Sequence, residues 1–380
     1  MDFDLNENQK LLKKTAREFL SAECPARLVR SVEEKGIGYS RELWEKMADL
    51  GWIGLPVEEE LGGSGAGFLD MCLLVEEMGR ALAPVPFIST ALCEYVLIDG
   101  ESAEQKKRFL PRMASGKLIM TPALHDATLS YDPEGIECSA TKKGDGYVIR
   151  GTKLMLPYGA IADAYLVATR TGGSGENGIT LFIVDRSLAG VAVSPVPTIA
   201  CDARCHLQME NVEVGRESLL GREGDGWPLL KKLLQRGATL TCAEMIGGAQ
   251  AVLEKTVDYV KQRVQFDRPV GSFQAIQHKC ANMAGACDGA KFVTYQAAWF
   301  QSENLPCDRE VAIAKAWTSD AYTRVCLESH QAHGAIGFTK EYDLQLYTRR
   351  AKAAELAYGD TRHHYEVLAD LIGLGVSKSL

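Results

Sequence analysis

The chain lacks a long basic run, a long apolar run and a paired-cysteine pattern, and each absence closes off a class of function. Forty-two Lys and Arg against 50 Asp and Glu leave a formal net charge of −8. A surface that neutralises nucleic-acid phosphates or an anionic membrane needs a basic stripe, so neither is expected as a partner. No apolar stretch approaches the roughly 18 residues that cross a bilayer. The start, MDFDLNENQKLLKKTAREFL, reads as an acidic-then-basic helix opening rather than a secretory leader. Eleven cysteines are scattered, several of them inside apolar helical patterns where Cys behaves as a small hydrophobe. A reduced, cytoplasmic protein is expected. Cys201, Cys205 and His206 suggest a metal only until a second ligand pair is sought nearby; none is found, and no metal is expected.

What is present is a folded chain of 380 residues, 46% apolar and 24% charged, long enough for two or three cores. To about Lys117 the pattern is helical: Leu11, Leu12, Thr15 and Phe19, then Leu73, Leu74, Met78 and Leu82, recur at helix spacing. The Gly62–Gly67 segment GGSGAG invites a phosphate reading, but no strand precedes it and an interhelical loop is the better reading. From about Leu118 short β-branched runs, YVIRGTK, AYLVATR, ITLFIVD and VAVSPV, alternate with Gly, Pro and Asp clusters. Helical periods return over 227–264, 272–302, 308–332 and 341–372. The expected class is α+β, with domains at 1–117, 118–225 and 226–380.

One stretch carries more chemistry than the rest, RVQFDRPVGSFQAIQHKCANM from Arg263 to Met283. Ala249, Val252, Val257, Val260 and Val264 mark an amphipathic helix whose last turn carries Arg263 and Gln265. Asp267, Arg268 and Pro269 break it. Ser272 is a good N-cap for the next helix, which leaves Gln274 in its first turn beside unpaired amides that favour an anion. Arg263 can fork onto phosphate oxygens. By local physics alone the ordinary alternative is a helix-end arginine that is solvated or paired with a carboxylate.

This run resembles the Arg-x-x-Phe-Gly-x-Pro-[Ile/Val]-Gly-x-x-Gln signature of the acyl-CoA dehydrogenase family, with Asp267 in place of the usual Gly. LWEKMADLGWIGLPVEEELGGSGAGFLDMCLLVEEMGRALAPVPF resembles the family's N-terminal helical domain, and QAHGAIGF, Gln331 to Phe338, its Gln-x-x-Gly-Gly-x-Gly-[Tyr/Phe] loop. On three motifs in the right order the chain is identified as a member. The resemblance implies an N-terminal α-helical domain, a middle β-barrel or sandwich domain and a C-terminal four-helix bundle that makes the contacts of a homo- or heterotetramer. It implies FAD as cofactor, an acyl-CoA substrate and an electron-transfer flavoprotein as partner. It puts Arg263, Phe266, Gln274, Gln331 and Gly334 at the pyrophosphate and adenosine end of a flavin whose ring lies in the neighbouring subunit.

The implied reaction is α,β-dehydrogenation of an acyl-CoA, in which a carboxylate removes the α-proton and the flavin takes the β-hydrogen. The position of the family's usual Glu base holds Tyr358, and an alternative position on the long helix holds Gly237. Asp360, two residues beyond Tyr358, is the remaining candidate base. In GTKLMLPYG the resemblance sets Met155 on a usual Trp and Pro157 on a usual Thr that bonds the flavin ring. Thr121 matches a Thr-Glu step and counts as a cofactor contact, although Pro122 replaces the Glu. The tail clamp is therefore retained and the ring machinery altered. That pattern is expected of one subunit in a heteromeric dehydrogenase, with a self-sufficient homotetramer using Asp360, or a non-catalytic binding protein, as alternatives. His330, His333, His363 and His364 read as ordinary, with His333 near the cofactor, and Glu244 as an interhelical hydrogen-bonding carboxylate.

Overall fold

The computed structural model describes residues 4–36 and 38–374; the first three residues of the expected opening helix and the last six of the expected C-terminal domain lie outside them. Helices come first, α2 (Ala26–Glu34) among them, then a sheet, then helices again. The described residues pack as two compact units, one made of the chain up to Arg30 with Gly67–Ala83 and everything from Ala238, the other of Ser31–Ala66 with Pro84–Gly237.

The first unit is helical. α1 (Glu7–Glu23) opens on a capping box, Asn6 accepting from Gln9 N and Gln9 returning the bond. It packs on α4 (Phe68–Ala81), whose two buried carboxylates decide the register. Lys13 Nζ meets Glu76 at 2.6 Å, the Tyr295 hydroxyl donates to the other Glu76 oxygen at 2.6 Å, and Arg17 forks onto Glu77 at 2.9 and 2.8 Å. Such pairs contribute little net stability, yet removing one partner leaves a buried charge, so they specify how the helices dock. α7 (Trp227–Gln262) crosses α4 where a Cβ on Gly79 would stand 2.0 Å from the Glu244 carbonyl and one on Gly247 1.8 Å from the Glu76 carbonyl. Only glycine permits that approach. α8 (Gln274–Ser302) and α9 (Asp308–His333) lie against each other and against α7, with Thr256 and Ser329 hydroxyls 2.6 Å apart across the α7–α9 seam.

The expected continuous period over 341–372 is two helices, α10 (Leu344–Leu356) and α11 (Thr361–Leu371). Tyr358 and Gly359 take φ of 55° and 91° between them, left-handed values that no helix sustains. α9 packs against both. Helix 227–264 ends earlier, at Gln262, and Gln265 belongs to a two-residue strand instead of the last turn. Ser272 is not a cap: it closes a short 3₁₀ turn, its hydroxyl donates to the Pro269 carbonyl at 2.7 Å, and Phe273 takes the N-cap place of α8.

The second unit holds α3 (Arg41–Asp49), α5 (Phe87–Asp99) and α6 (Ala103–Ala114) with an eight-stranded sheet. Its strands are β1 (Met120–Ala123), β2 (Ser139–Lys143), β3 (Gly146–Pro157), β4 (Ala164–Arg170), β5 (Ile179–Asp185), β6 (Val191–Val196), β7 (Arg204–Val214) and β8 (Leu219–Leu220). The order is β6-β7-β3-β2-β4-β5-β8, with β1 parallel to β4. β4 and β5 are buried on both faces along all but their last residues, as their near-continuous apolar runs require. β3 and β7 pair antiparallel with a bulge between Lys153 and Leu156. Beneath it Lys153, fully buried, donates to Asp126 at 2.7 Å and to the Leu124 carbonyl at 3.1 Å.

Candidate functional site

After α7 the chain folds into a tight hairpin, β9 (Val264–Gln265) against β10 (Arg268–Pro269). Phe266 and Asp267 form its two-residue loop with φ of 54° and 60°. Positive φ at both central positions is the type I′ geometry, and Asp is among the few side chains that tolerate it. Arg268 lies over the Phe273 ring at 4.0 Å and Phe266 meets the same ring edge-on at 6.1 Å, which seats the hairpin on the start of α8. Phe266 nevertheless remains 86% exposed.

Arg263 is the first residue past α7, its N–H still donating to the Tyr259 carbonyl at 2.8 Å. Its guanidinium is exposed and pairs with no carboxylate among the described residues. Gln274 opens α8, and the Gln274 and Ala275 amides have no acceptor among those residues. A forked cation, a side-chain amide and two free helix-end N–H groups thus sit on one short hairpin-to-helix segment.

The end of α9 is tied to the end of α7. Tyr259 stacks on His333 with ring centres 4.3 Å apart and donates its hydroxyl to the His333 carbonyl at 3.2 Å. Gln331 is exposed on that helix end, two residues before His333. Gly334 then takes φ 66° and ψ −145°, a backbone state open essentially to glycine alone. Phe338 stacks on the His330 ring at 4.6 Å, and His330 also meets the Thr348 hydroxyl at 2.7 Å. Among the described residues no three His, Cys, Asp or Glu side chains group as metal ligands.

Asp360 stands in the turn between α10 and α11, and its carboxylate caps α11 by accepting from His363 N at 2.8 Å. The turn is held from two sides. Lys315, fully buried in α9, donates to the carbonyls of Gly359 and Glu355, each at 2.8 Å, and to the Ser319 hydroxyl at 3.1 Å; burial pushes its ammonium down to about 8. His364 Nε2 donates to the Tyr358 carbonyl at 2.9 Å, and burial pushes its imidazole down to about 4. Sequence reading missed both as positioning residues. The signal available for Lys315 was a lone cation in the apolar run VAIAKAW.

In the second unit the residues that the resemblance sets against the flavin ring are committed within the fold. Thr121 is fully buried and its hydroxyl donates to the Pro157 carbonyl at 2.6 Å. Met155 sits in the β3 bulge at φ 56°, its N–H reaching His206 Nδ1 at 3.4 Å and its carbonyl accepting from Arg204 at 3.3 Å. Glu94, on α5, is wholly buried with no hydrogen-bond partner for either carboxyl oxygen among the described residues, and Thr90 one turn earlier is likewise unpartnered. Burial alone holds the Glu94 carboxyl well above the usual carboxylate range.

The chain matches the acyl-CoA dehydrogenase N-terminal domain over residues 6–117, the middle domain over 123–212 and the C-terminal domain over 224–373. It is 32% identical over 363 residues to an acyl-CoA dehydrogenase of Bacillus subtilis, covering 93% of this chain and 95% of that one. The chain belongs to the acyl-CoA dehydrogenase family. It is 29% identical to the caffeyl-CoA reductase–Etf complex subunit CarC of Acetobacterium woodii, covering 97% of this chain and 98% of that one. A chain of the ChsE4–ChsE5 complex from Mycobacterium tuberculosis superposes with a TM-score of 0.90 at 28% identity, over 99% of this chain and all of that one.

Membership makes the chain one of the acyl-CoA dehydrogenase oxidoreductases, with FAD as the characteristic cofactor. The residues that the resemblance sets at the two ends of that cofactor differ in what they have left to offer. The hairpin-to-α8 segment fits an anionic dinucleotide tail, because Arg263, Gln274 and the α8 amides are uncommitted donors. Around Met155 and Pro157 the fit to the reactive ring fails: Pro157 has no N–H or hydroxyl to offer and the Thr121 hydroxyl is taken. No helix among the described residues is long and apolar enough to cross a membrane.

Proposed function

We propose that this chain is one subunit of a heteromeric acyl-CoA dehydrogenase. It lends the pyrophosphate-and-adenosine half of a flavin site to a second family chain that holds the ring and the base, and electrons leave to an electron-transfer flavoprotein. The observation that carries the reading is a difference in commitment. Arg263, Gln274 and Gln331 present side-chain donors that engage nothing among the described residues, whereas the polar groups of Thr121, Met155 and Asp360 are used inside the fold.

Arg263 forks onto pyrophosphate oxygens while the first amides of α8 and Gln274 donate to the same anion, and Phe266 with Phe338 gives the exposed apolar rim against which a neighbouring chain seals the nucleotide. When bound, FAD supplies the acceptor for the hydride from the β-carbon. The similarity to a chain of a two-component mycobacterial complex supports the mixed assembly, and the similarity to a subunit of a reductase–Etf complex supports the electron partner.

The test is activity of the chain alone. Purified without a partner, it is expected to oxidise no acyl-CoA. If it does so with one flavin per chain, and Asp360→Asn abolishes the reaction, the self-sufficient homotetramer is correct instead.

A further inference from the structure

The lent half-site is built from two separate helix ends, and its residues can serve one ligand only if those ends are held at a fixed spacing. Arg263 lies four residues, roughly 6 Å along a helix, beyond Tyr259. Gln331 and Gly334 flank His333. Tyr259 and His333 are therefore the point at which the two halves of the cluster are coupled. We infer that His333 is the positioning residue of the nucleotide-tail clamp, locking the Arg263 hairpin to the Gln331–Gly334 turn through its ring.

The ring is used on every side. His333 is 4% exposed. Nδ1 lies 2.8 Å from the Ser329 carbonyl, which can only accept, so Nδ1 carries the proton. Nε2, 3.0 Å away, then accepts from the Tyr342 hydroxyl, which ties the segment entering α10 to the same ring. One face stacks on Tyr259, whose hydroxyl closes the circuit on the His333 carbonyl. Behind it Ser329 bonds Thr256 of α7 at 2.6 Å, a second tie between the same two helices. Gly337 folds onto this face as well: a Cβ there would stand 3.0 Å from that of His333. Burial holds the imidazole below its ordinary range, so the neutral tautomer that this circuit needs is the one present near neutral pH.

A ring bonded at both nitrogens to different segments and stacked on a third has no rotational freedom, whereas Phe would retain only the stack. The consequence is specific to the nucleotide tail. FMN carries the ring and one phosphate but lacks the adenosine half, so it does not draw on the Arg263–Gln331 spacing.

The inference rests on the half-site reading, and one experiment separates them. FAD and FMN dissociation constants are measured on the apoprotein of the co-expressed flavoprotein, wild type and with His333→Phe, Tyr342→Phe or Arg263→Ala in this chain. The expected result is that His333→Phe and Tyr342→Phe weaken FAD about tenfold, leave FMN within about twofold, and so erode the preference for FAD. Tyr342→Phe removes a single hydroxyl, which keeps the comparison valid should His333→Phe fold poorly. FAD affinity unchanged in Tyr342→Phe, or FAD and FMN weakened in parallel, overturns the positioning role. If Arg263→Ala leaves FAD binding intact, the half-site reading itself falls and this inference with it.

Discussion

Lys315 and His364, from different helices, donate to consecutive backbone carbonyls: the Lys315 ammonium to Gly359 and the His364 imidazole to Tyr358, at 2.8 and 2.9 Å. Together they fix the left-handed turn that separates α10 from α11. Lys315→Met removes three hydrogen bonds and strands the buried carbonyl of Gly359 and the half-buried one of Glu355. We expect a loss of about 2–4 kcal/mol in unfolding free energy, read by urea titration. A change below a few tenths would mean that the turn holds without its cation.

The His364 imidazole makes the same turn acid-sensitive. Its folded value, about 4, lies below the ordinary 6.5. Between these values the unfolded chain binds the proton and the folded chain does not. The His364 contribution is therefore complete above pH 6.5 and is lost as pH falls toward 4. The slope is at most about 1.4 kcal/mol per pH unit. Thermal melts of wild type and His364→Gln across this range are expected to converge as acid removes the wild-type advantage; parallel curves would contradict it.

Glu94 makes the opposite prediction. Its buried carboxyl has no hydrogen bond and no cation among the described residues, and burial raises its folded value above 4.5. The unfolded chain ionises it first, so wild-type stability falls as pH rises above 4.5. Glu94→Leu, which matches the apolar surroundings of α5, is expected to raise stability at neutral pH by about 1–3 kcal/mol and to remove that fall. A destabilised Glu94→Leu protein would show that the carboxyl is compensated.

Much of the fold was legible because its patterns are strong. Val, Ile and aromatic runs bounded by Gly and Asp marked β3 to β6, and the 3.6-residue spacing of α4 and α7 marked the helices. β7 was missed because RCHLQMENVEV has β-branched residues only at Val212 and Val214 and its alternation shifts phase at Asn211, φ 55°, where Glu210 and Asn211 are both exposed. The split between α10 and α11 was missed although Gly359, at φ 91°, and the N-cap Asp360 form a readable stop-and-start pair, because the helical period on either side runs through them. At the site, the breaking role of Asp267 was readable from its turn chemistry, while the cap assigned to Ser272 failed because the short 3₁₀ turn over Val270–Ser272 delays α8 by one residue and puts Phe273 in the N-cap place. The Tyr259–His333–Tyr342 circuit joins residues 74 and nine positions apart, which no local pattern reveals.

The most direct measurement of the central claim is the flavin-to-chain ratio of the assembly formed when this chain is co-expressed with a second family chain, repeated with Arg263→Ala in this chain alone. The account predicts one FAD per pair of unlike chains, lost in the Arg263→Ala assembly. One FAD for every chain, or an unchanged ratio after Arg263→Ala, would contradict it.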